Sequence, residues 1–410
     1  MKLFHEKCAG LDVHKETVVA CVRVHQKGRV SHEVRTFGTT TQALLELADW
    51  LDEVGCTHAV MESTGVYWKP VWHVLSGGAL ELTLANADHV RNVPGRKTDV
   101  KDAVWLADLL AHGLTRSSFV PPPAIEELRD LTRTRRQLVR QRVQHVQRIQ
   151  KTLESANVKL ESVISDVLGV SGRAMVEAIA AGETNPERLA GLAHARLQTP
   201  REKLVAALHG KVTAHHRFML QAHLEQVDAT NKTIEAIDKE VERALEPFRD
   251  RVKLLKTMPG ISDQVARTLV AEIGVDMTVF PSAAHLVSWA GLCPELRESA
   301  GKRRSSRTRK GAPWLKPVLV QCAWAAARKK DSYFKAQFLR LRTRRGPKKA
   351  VVAVAASMLT AAYFMLRDGT AFEDLGSGHF DTKDKTRATR ALVRRLEGLG
   401  YAVELRDQAA

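Results

Sequence analysis

The sequence predicts an α/β unit followed by a long, mostly α-helical remainder, with divisions at residues 1–120, 121–250, 251–368 and 369–410. Three observations predict it. Residues 7 to 112 alternate short apolar runs with amphipathic stretches, the mark of strands interleaved with helices. Residues 121 to 245 carry helical periodicity, with Leu220, Val227, Ile234 and Val241 repeating every seven residues. Past residue 250, two short helical patterns flank Pro259-Gly260-Ile261, and an apolar run follows from Ala350 to Leu366.

The first unit opens with KCAGLDVHK and ETVVACVRV joined by a polar turn, and VSHEVRTF follows Lys27-Gly28; these read as three strands. TTQALLELADWLDEV is an amphipathic helix, THAVMESTG a strand ending at Glu62, Tyr67 to Leu75 a helix and LELTLA a strand. PGRKTDVKDA then supplies a basic loop, with Arg96 and Lys97, that runs into a helix reaching about His112. Three strands, helix, strand, helix, strand, helix is the order of a ribonuclease H-like fold in its RuvC-like variant.

Four acids stand out in that order. Asp12 interrupts an apolar strand, Glu62 ends another, and Asp99 and Asp102 share one face of a helix. Sheets of this kind place ligands at strand ends. Acids arriving from separate elements can converge on a pair of Mg²⁺ ions roughly 3.5–4 Å apart, an arrangement suited to phosphoryl transfer. Edge charges and helix caps are the plainer reading of each acid taken singly. Asp88, most simply an N-cap, and Asp108, off the shared face, are rivals.

Pro121-Pro122-Pro123 breaks the chain, and a long helix follows whose exposed face is expected to be basic: Arg129, Arg133, Arg135, Arg136, Arg140, Arg142 and Arg148. A second long helix is expected from Lys203 to Leu245, its heptad seam weakened by His223 and Thr230. The two can pair within one chain or between subunits, so a dimer or tetramer through a coiled coil is expected. LLKTMPGISDQVARTLVAEIG has the pattern of a helix-hairpin-helix, whose turn at Gly260 would aim backbone N–H groups at a phosphate.

The formal charge of +17 is concentrated: residues 302–349 hold seventeen Lys or Arg and one acid, Asp331, with Trp314, Trp324, Tyr333 and Phe334 interleaved. That is the electrostatic footprint of nucleic-acid binding. Membrane attachment is the rival, but the segment lacks an amphipathic apolar face. Just ahead, RESAGKRR sets Ser299 beside Lys302, Arg303 and Arg304, where a hydroxyl could attack a phosphodiester; Ser305 and Ser306 are comparable candidates. No apolar signal segment opens the chain. Ala350–Leu366 is Ala-rich and reads as a buried core helix. Five scattered cysteines form no CxxC pair, which fits a reducing, cytoplasmic setting. The last forty residues look peripheral, with a helix over Thr386–Leu396 and a short strand at YAVEL.

Together these motifs resemble the DEDD transposases of bacterial insertion sequences, which include the Piv-type invertases and the bridge-RNA-guided recombinases. The resemblance spans residues 8 to 365 and rests on GLDVHK, MESTGVYW, KTDVKDA, MPGIS with AEIG, Phe280-Pro281-Ser282, WAGLCP, RESAGKRR and Arg309-Lys310-Gly311. It implies that Asp12, Glu62, Asp99 and Asp102 bind Mg²⁺ and that Ser299 is the nucleophile that attaches to DNA. Where the family has a glycine after that serine, this chain has Ala300. The resemblance further implies an element-encoded guide RNA, and nucleic-acid contacts at Arg96, Lys97, Gly260, Lys302, Arg303, Arg304, Arg309 and Lys310. The expected activity is transposition or site-specific recombination in a bacterial cytoplasm, at the nucleoid. A metal-dependent, structure-selective nuclease of the Holliday junction resolvase kind, using water, is the alternative.

Overall fold

The computed structural model describes residues 3–63, 65–86, 90, 102–294, 297–299, 302–305, 307–308, 311–383 and 385–405. The chain forms two compact units, Met1–Val120 and Pro121–Ala410.

In the first unit the strands are β1 (Lys7–Val13), β2 (Thr17–Gln26), β3 (Arg29–Gly38), β4 (His58–Glu62) and β5 (Glu81–Ala85), in the order β3-β2-β1-β4-β5. The first three form an antiparallel meander, and β4 and β5 join parallel to β1. Helices α1 (Thr41–Glu53) and α2 (Trp68–Leu75) make the parallel connections. Period-two alternation sorts the side chains between faces. Ala9, Leu11, Val13, Ala59 and Met61 join Leu44, Leu47, Trp50, Val71 and Leu75 of α1 and α2 on one side. Cys8 and Val60 join Leu106, Leu109 and Leu110 of α3 (Asp102–Ala111) on the other. The sheet is thus a central layer between helices, as the residue pattern predicted.

The second unit begins with α4 (Pro123–Ser155), a 33-residue helix with proline in its first turn, where the missing N–H costs nothing. Four short helices follow: α5 (Leu160–Val163), α6 (Val170–Ala181), α7 (Pro186–Gly191) and α8 (Arg201–Leu208). The chain then returns along α9 (Ala214–Leu245). The expected helix from Lys203 is therefore two helices. Gly210 lies where a Cβ would come within 2.5 Å of the Ala156 carbonyl oxygen, and Thr213 starts α9 with a capping box to His216. Arg135 pairs with Asp238, Arg142 donates to Asn231, and His145 meets His223, so α4 and α9 run antiparallel within one chain. Leu220, Val227, Ile234 and Val241 are all buried. The heptad seam is filled inside the chain.

The exposed basic face expected of α4 is corrected in part: Arg140 and Arg148 are exposed, but the other five arginines are engaged. Arg129 donates to the carbonyls of Ala271 and Glu272, Arg133 to the Glu272 carboxylate, and Arg136 to the Trp314 carbonyl. With Arg135 and Arg142, these arginines tie helices together rather than face water.

Helices α10 (Arg249–Lys256), α11 (Asp263–Ile273), α12 (Ala283–Trp289), α13 (Lys316–Ala326) and α14 (Tyr333–Arg345) complete this unit with α15 (Pro347–Asp368). Most of them pack on α15. That 22-residue helix is long and apolar enough to cross a membrane, yet Val351, Val354, Ala355, Met358, Leu359 and Ala362 are buried among its neighbours, as expected of a core helix. Two small helices end the chain, α16 (His379–Lys383) and α17 (Lys385–Glu397). YAVEL, expected as a strand, has no regular structure.

Candidate active site

The parallel register of β1 and β4 pairs Leu11 with Met61. Asp12 and Glu62 are the next residues on these adjacent strands. Leu11 and Met61 point into the α1–α2 side, so alternation turns both acids toward the face that α3 covers. That helix begins at Asp102, and one of its carboxylate oxygens is shielded from solvent. Three of the four expected acids therefore arrive on one face from three elements. Asp99, Arg96 and Lys97 lie outside the described residues.

A residue not singled out from the sequence sets the spacing. Gly10 faces α3 so closely that a Cβ would stand 2.1 Å from the Ala103 carbonyl oxygen and 2.5 Å from the Ala107 nitrogen. Both contacts are backbone, so only glycine lets α3 lie this close to β1, two residues before Asp12 and against the first turns of the helix that starts at Asp102. Glycine inside an apolar strand is the available signal, since it marks close backbone approach. His14 was also overlooked. Its Nε2 lies 3.2 Å from Asp12 Oδ2.

Asp108 is removed as a rival. Arg23, whose side chain is 4% exposed, donates to Asp108 Oδ1 at 2.8 Å, and His32 lies 3.3 Å from the same oxygen. That carboxylate offsets a buried guanidinium. Cys8 and Cys21 lie in the same layer, but burial pushes both thiols up to about 12, which disqualifies them as nucleophiles. Asp88 lies outside the described residues.

The donor chemistry of Asp12, Glu62 and Asp102 suits a hard divalent cation. Among the described residues, however, no group of three potential ligands is gathered tightly enough to hold an ion. The acids share a face without forming a closed site.

In the second unit the basic loop expected around Ser299 is a hairpin. Strand β6 (Arg297–Ser299) pairs antiparallel with β7 (Lys302–Ser305), in register Ser299 to Lys302 and Glu298 to Arg303. Ser299 thus ends the first strand, and Lys302, Arg303 and Arg304 lie on the return strand. The base of this excursion is pinned. Pro294 bridges Thr308, and Lys316 donates to the Thr308 hydroxyl at 2.7 Å. Burial lowers the Lys316 pKa. Gly311 sits where a Cβ would come within 2.3 Å of Ala290 O and of Gly291 backbone atoms. Gly311 is thus a backbone neighbour of Ala290 and Gly291, and that contact explains why position 311 is glycine. Arg309 and Lys310 lie outside the described residues.

Gly260, expected as a phosphate-binding turn, joins α10 to α11 with φ +85°, and a Cβ there would meet the Cys322 carbonyl oxygen at 2.6 Å. Packing against α13 accounts for this glycine without a ligand, although one side of the residue remains exposed.

Residues 9–158 match the DEDD transposase family of the IS110 group, and residues 252–339 match the "Transposase IS116/IS110/IS902 family". The chain belongs to this transposase family. The Moraxella bovis pilin gene-inverting protein is 21% identical over 380 residues, 89% of this chain and 97% of that protein. An insertion element IS116 protein of Streptomyces clavuligerus is 27% identical over 339 residues, 72% of this chain and 80% of its own length. The match to an insertion element IS110 protein of Streptomyces coelicolor is local, 33% over 127 residues, and covers 29% of this chain and 30% of that protein.

Proposed function

We propose that this chain is an insertion-sequence transposase or site-specific recombinase that cleaves and rejoins DNA through a covalent serine intermediate. The observation that carries this reading is the placing of Asp12, Glu62 and Asp102 on one face of a β3-β2-β1-β4-β5 sheet in a chain of this family. The strand order supports a ribonuclease H-like unit of RuvC-like type, and the relative named for inverting a pilin gene supports strand exchange.

In this reading Asp12, Glu62, Asp99 and Asp102 hold divalent metal, taken as Mg²⁺. When bound, it would supply charge neutralisation at the scissile phosphate. Ser299 gives up its hydroxyl proton, its Oγ forms a bond to phosphorus, and the bridging P–O bond to the departing strand breaks as that oxygen takes a proton. The phosphodiester's bond energy is kept in the seryl-phosphate, so a new strand hydroxyl can reverse the step without ATP. Lys302, Arg303 and Arg304 on the return strand offset the charge that develops at phosphorus. In this reading the protein acts as a homo-oligomer. A structured RNA from the element selects donor and target. Arg96, Lys97, Gly260, Arg309 and Lys310 are assigned to nucleic-acid contacts, and the protein acts at the nucleoid in the cytoplasm.

The test is a denaturing gel. Purified protein is incubated with Mg²⁺, the transcript flanking its element and a circular-junction DNA, and compared with Ser299→Ala and Asp12→Ala. A protein–DNA adduct in the wild type that is lost in both variants is expected. Cleavage without an adduct, undiminished by Ser299→Ala, would replace this mechanism with that of a water-using, structure-selective nuclease.

A further inference from the structure

Between α4, α11 and α13 lies a cavity of about 200 Å³ that the proposed chemistry does not use. Arg133, Arg136, Gln264, Thr268, Gln321 and Trp314 are among its walls. Three guanidinium groups from one stripe of α4 surround a single indole: Arg133, Arg136 and Arg140 lie 5.6, 5.8 and 5.7 Å from the centroid of the Trp314 ring.

The charges here are not balanced. Glu272, 1% exposed, is taken up by the fork of Arg133, and Arg129 stands 3.9 Å away. Asp238 is taken up by Arg135. Arg136 donates to a neutral acceptor, the Trp314 carbonyl, at 2.8 Å. Arg140 is exposed, beside the Trp314 ring. Among the described residues, neither Arg136 nor Arg140 forms an ion pair. Burial, and then the neighbouring Arg140, lower the Arg136 pKa against the pull of Glu272, yet a guanidinium does not shed its proton. The indole face attracts these cations without neutralising them.

Holding helices together accounts for Arg129, Arg133 and Arg135. It does not account for two further cations crowded beside an open cavity whose other walls offer neutral hydrogen-bonding groups. An arginine fork matches the oxygens of a phosphate in geometry as well as in charge. We infer that this cavity is a nucleic-acid phosphate site, where Arg136 and Arg140 bind the backbone of a strand passing over Trp314. The inference rests on the DNA-recombination reading for its ligand class, but on none of the proposed catalytic residues.

Binding is measured in EDTA, so strand cleavage does not enter. A labelled DNA duplex and a labelled single-stranded RNA of the same sequence are titrated with the full chain over a range of NaCl. Arg140→Gln removes an exposed cation. Gln321→Glu adds a carboxylate to the cavity wall and removes none of its cations. Both variants are expected to weaken binding by about three- to tenfold at low salt. For Arg140→Gln the slope of log affinity against log salt should shrink by about one. A change with DNA alone, RNA alone or both identifies the strand that uses the site. Unchanged binding of both nucleic acids overturns the inference, and so does weaker binding by Arg140→Gln at an unaltered slope. A changed slope in a protein that forms no adduct would leave this site standing while the serine chemistry falls.

Discussion

Asp12 and Glu272 are both acids in largely apolar surroundings, and the two units treat them in opposite ways. Glu272, 1% exposed, receives Nε and Nη2 of Arg133 at 2.8 Å each, with Arg129 alongside. Asp12 keeps 24% of its side chain exposed and has an imidazole, His14, at 3.2 Å. Asp108, in the same unit as Asp12, follows the Glu272 pattern, with Arg23 bound to it. An acid that serves the fold is matched to a guanidinium, whereas Asp12 meets an imidazole and keeps an open side, as the proposed metal-binding role requires. Proximity to other acids does not separate the two kinds; a fixed arginine does.

The largest expected effect breaks the Glu272 arrangement. Glu272→Gln leaves Arg129 and Arg133 without their buried counter-charge, and losing one partner of a buried pair costs about 3–5 kcal/mol. Urea unfolding of the second unit should move to lower denaturant by a corresponding amount. A change below about 1 kcal/mol would mean that the guanidiniums find other acceptors, and the comparison with Asp12 would lose its force.

A smaller effect probes the other side. Gly10→Ala sets a Cβ against the Ala103 carbonyl and the Ala107 nitrogen, and neither backbone atom can step aside alone. Helix α3 must shift, at a cost of about 1–3 kcal/mol. It carries Asp102 with it, so adduct formation should fall by far more than the change in folded fraction explains. If activity tracks the folded fraction alone, Gly10 supports the fold and does not position the acids.

Much of this arrangement was legible in the residues. The strand and helix order, the acids at 12, 62 and 102, and the burial of the run from Ala350 follow from local periodicity, because alternation and helical spacing report which faces are covered. Long-range pairing left no such trace. The arginines of α4 look like a solvated stripe until Glu272, Asp238 and Trp314 are brought against them by chain far downstream. Two glycines, Gly10 and Gly311, carried a hint of close approach but not the identity of the neighbour. The hairpin at Ser299 was missed because Arg297–Ser299 and Lys302–Ser305 are polar at every position, so no alternation distinguishes these strands from a loop. The break before Ala214 was hidden within a pattern that is helical on both sides.

The smallest effect concerns a charge that the fold declines to carry. His145 and His223 face each other across α4 and α9 with their Nδ1 atoms 3.3 Å apart. The His223 pKa is lowered, first by burial, then by His145 and Arg148. Below the ordinary value of 6.5 an unfolded His223 takes up a proton that the folded one resists. Stability should therefore fall as pH drops through 6.5, and stop falling once the folded imidazole also protonates. His223 occupies a seam position of the heptad beside buried Leu220 and Leu224, so His223→Leu fills the same seam with an apolar side chain. The loss in thermal midpoint between about pH 7.5 and about pH 5 should be smaller in the variant than in the wild type. An equal loss in both would assign the acid sensitivity to other groups. A reduced loss would complete the comparison: Glu272 is matched to arginines, Asp12 keeps part of its surface open, and His223 resists a proton because it is buried beside His145 and Arg148.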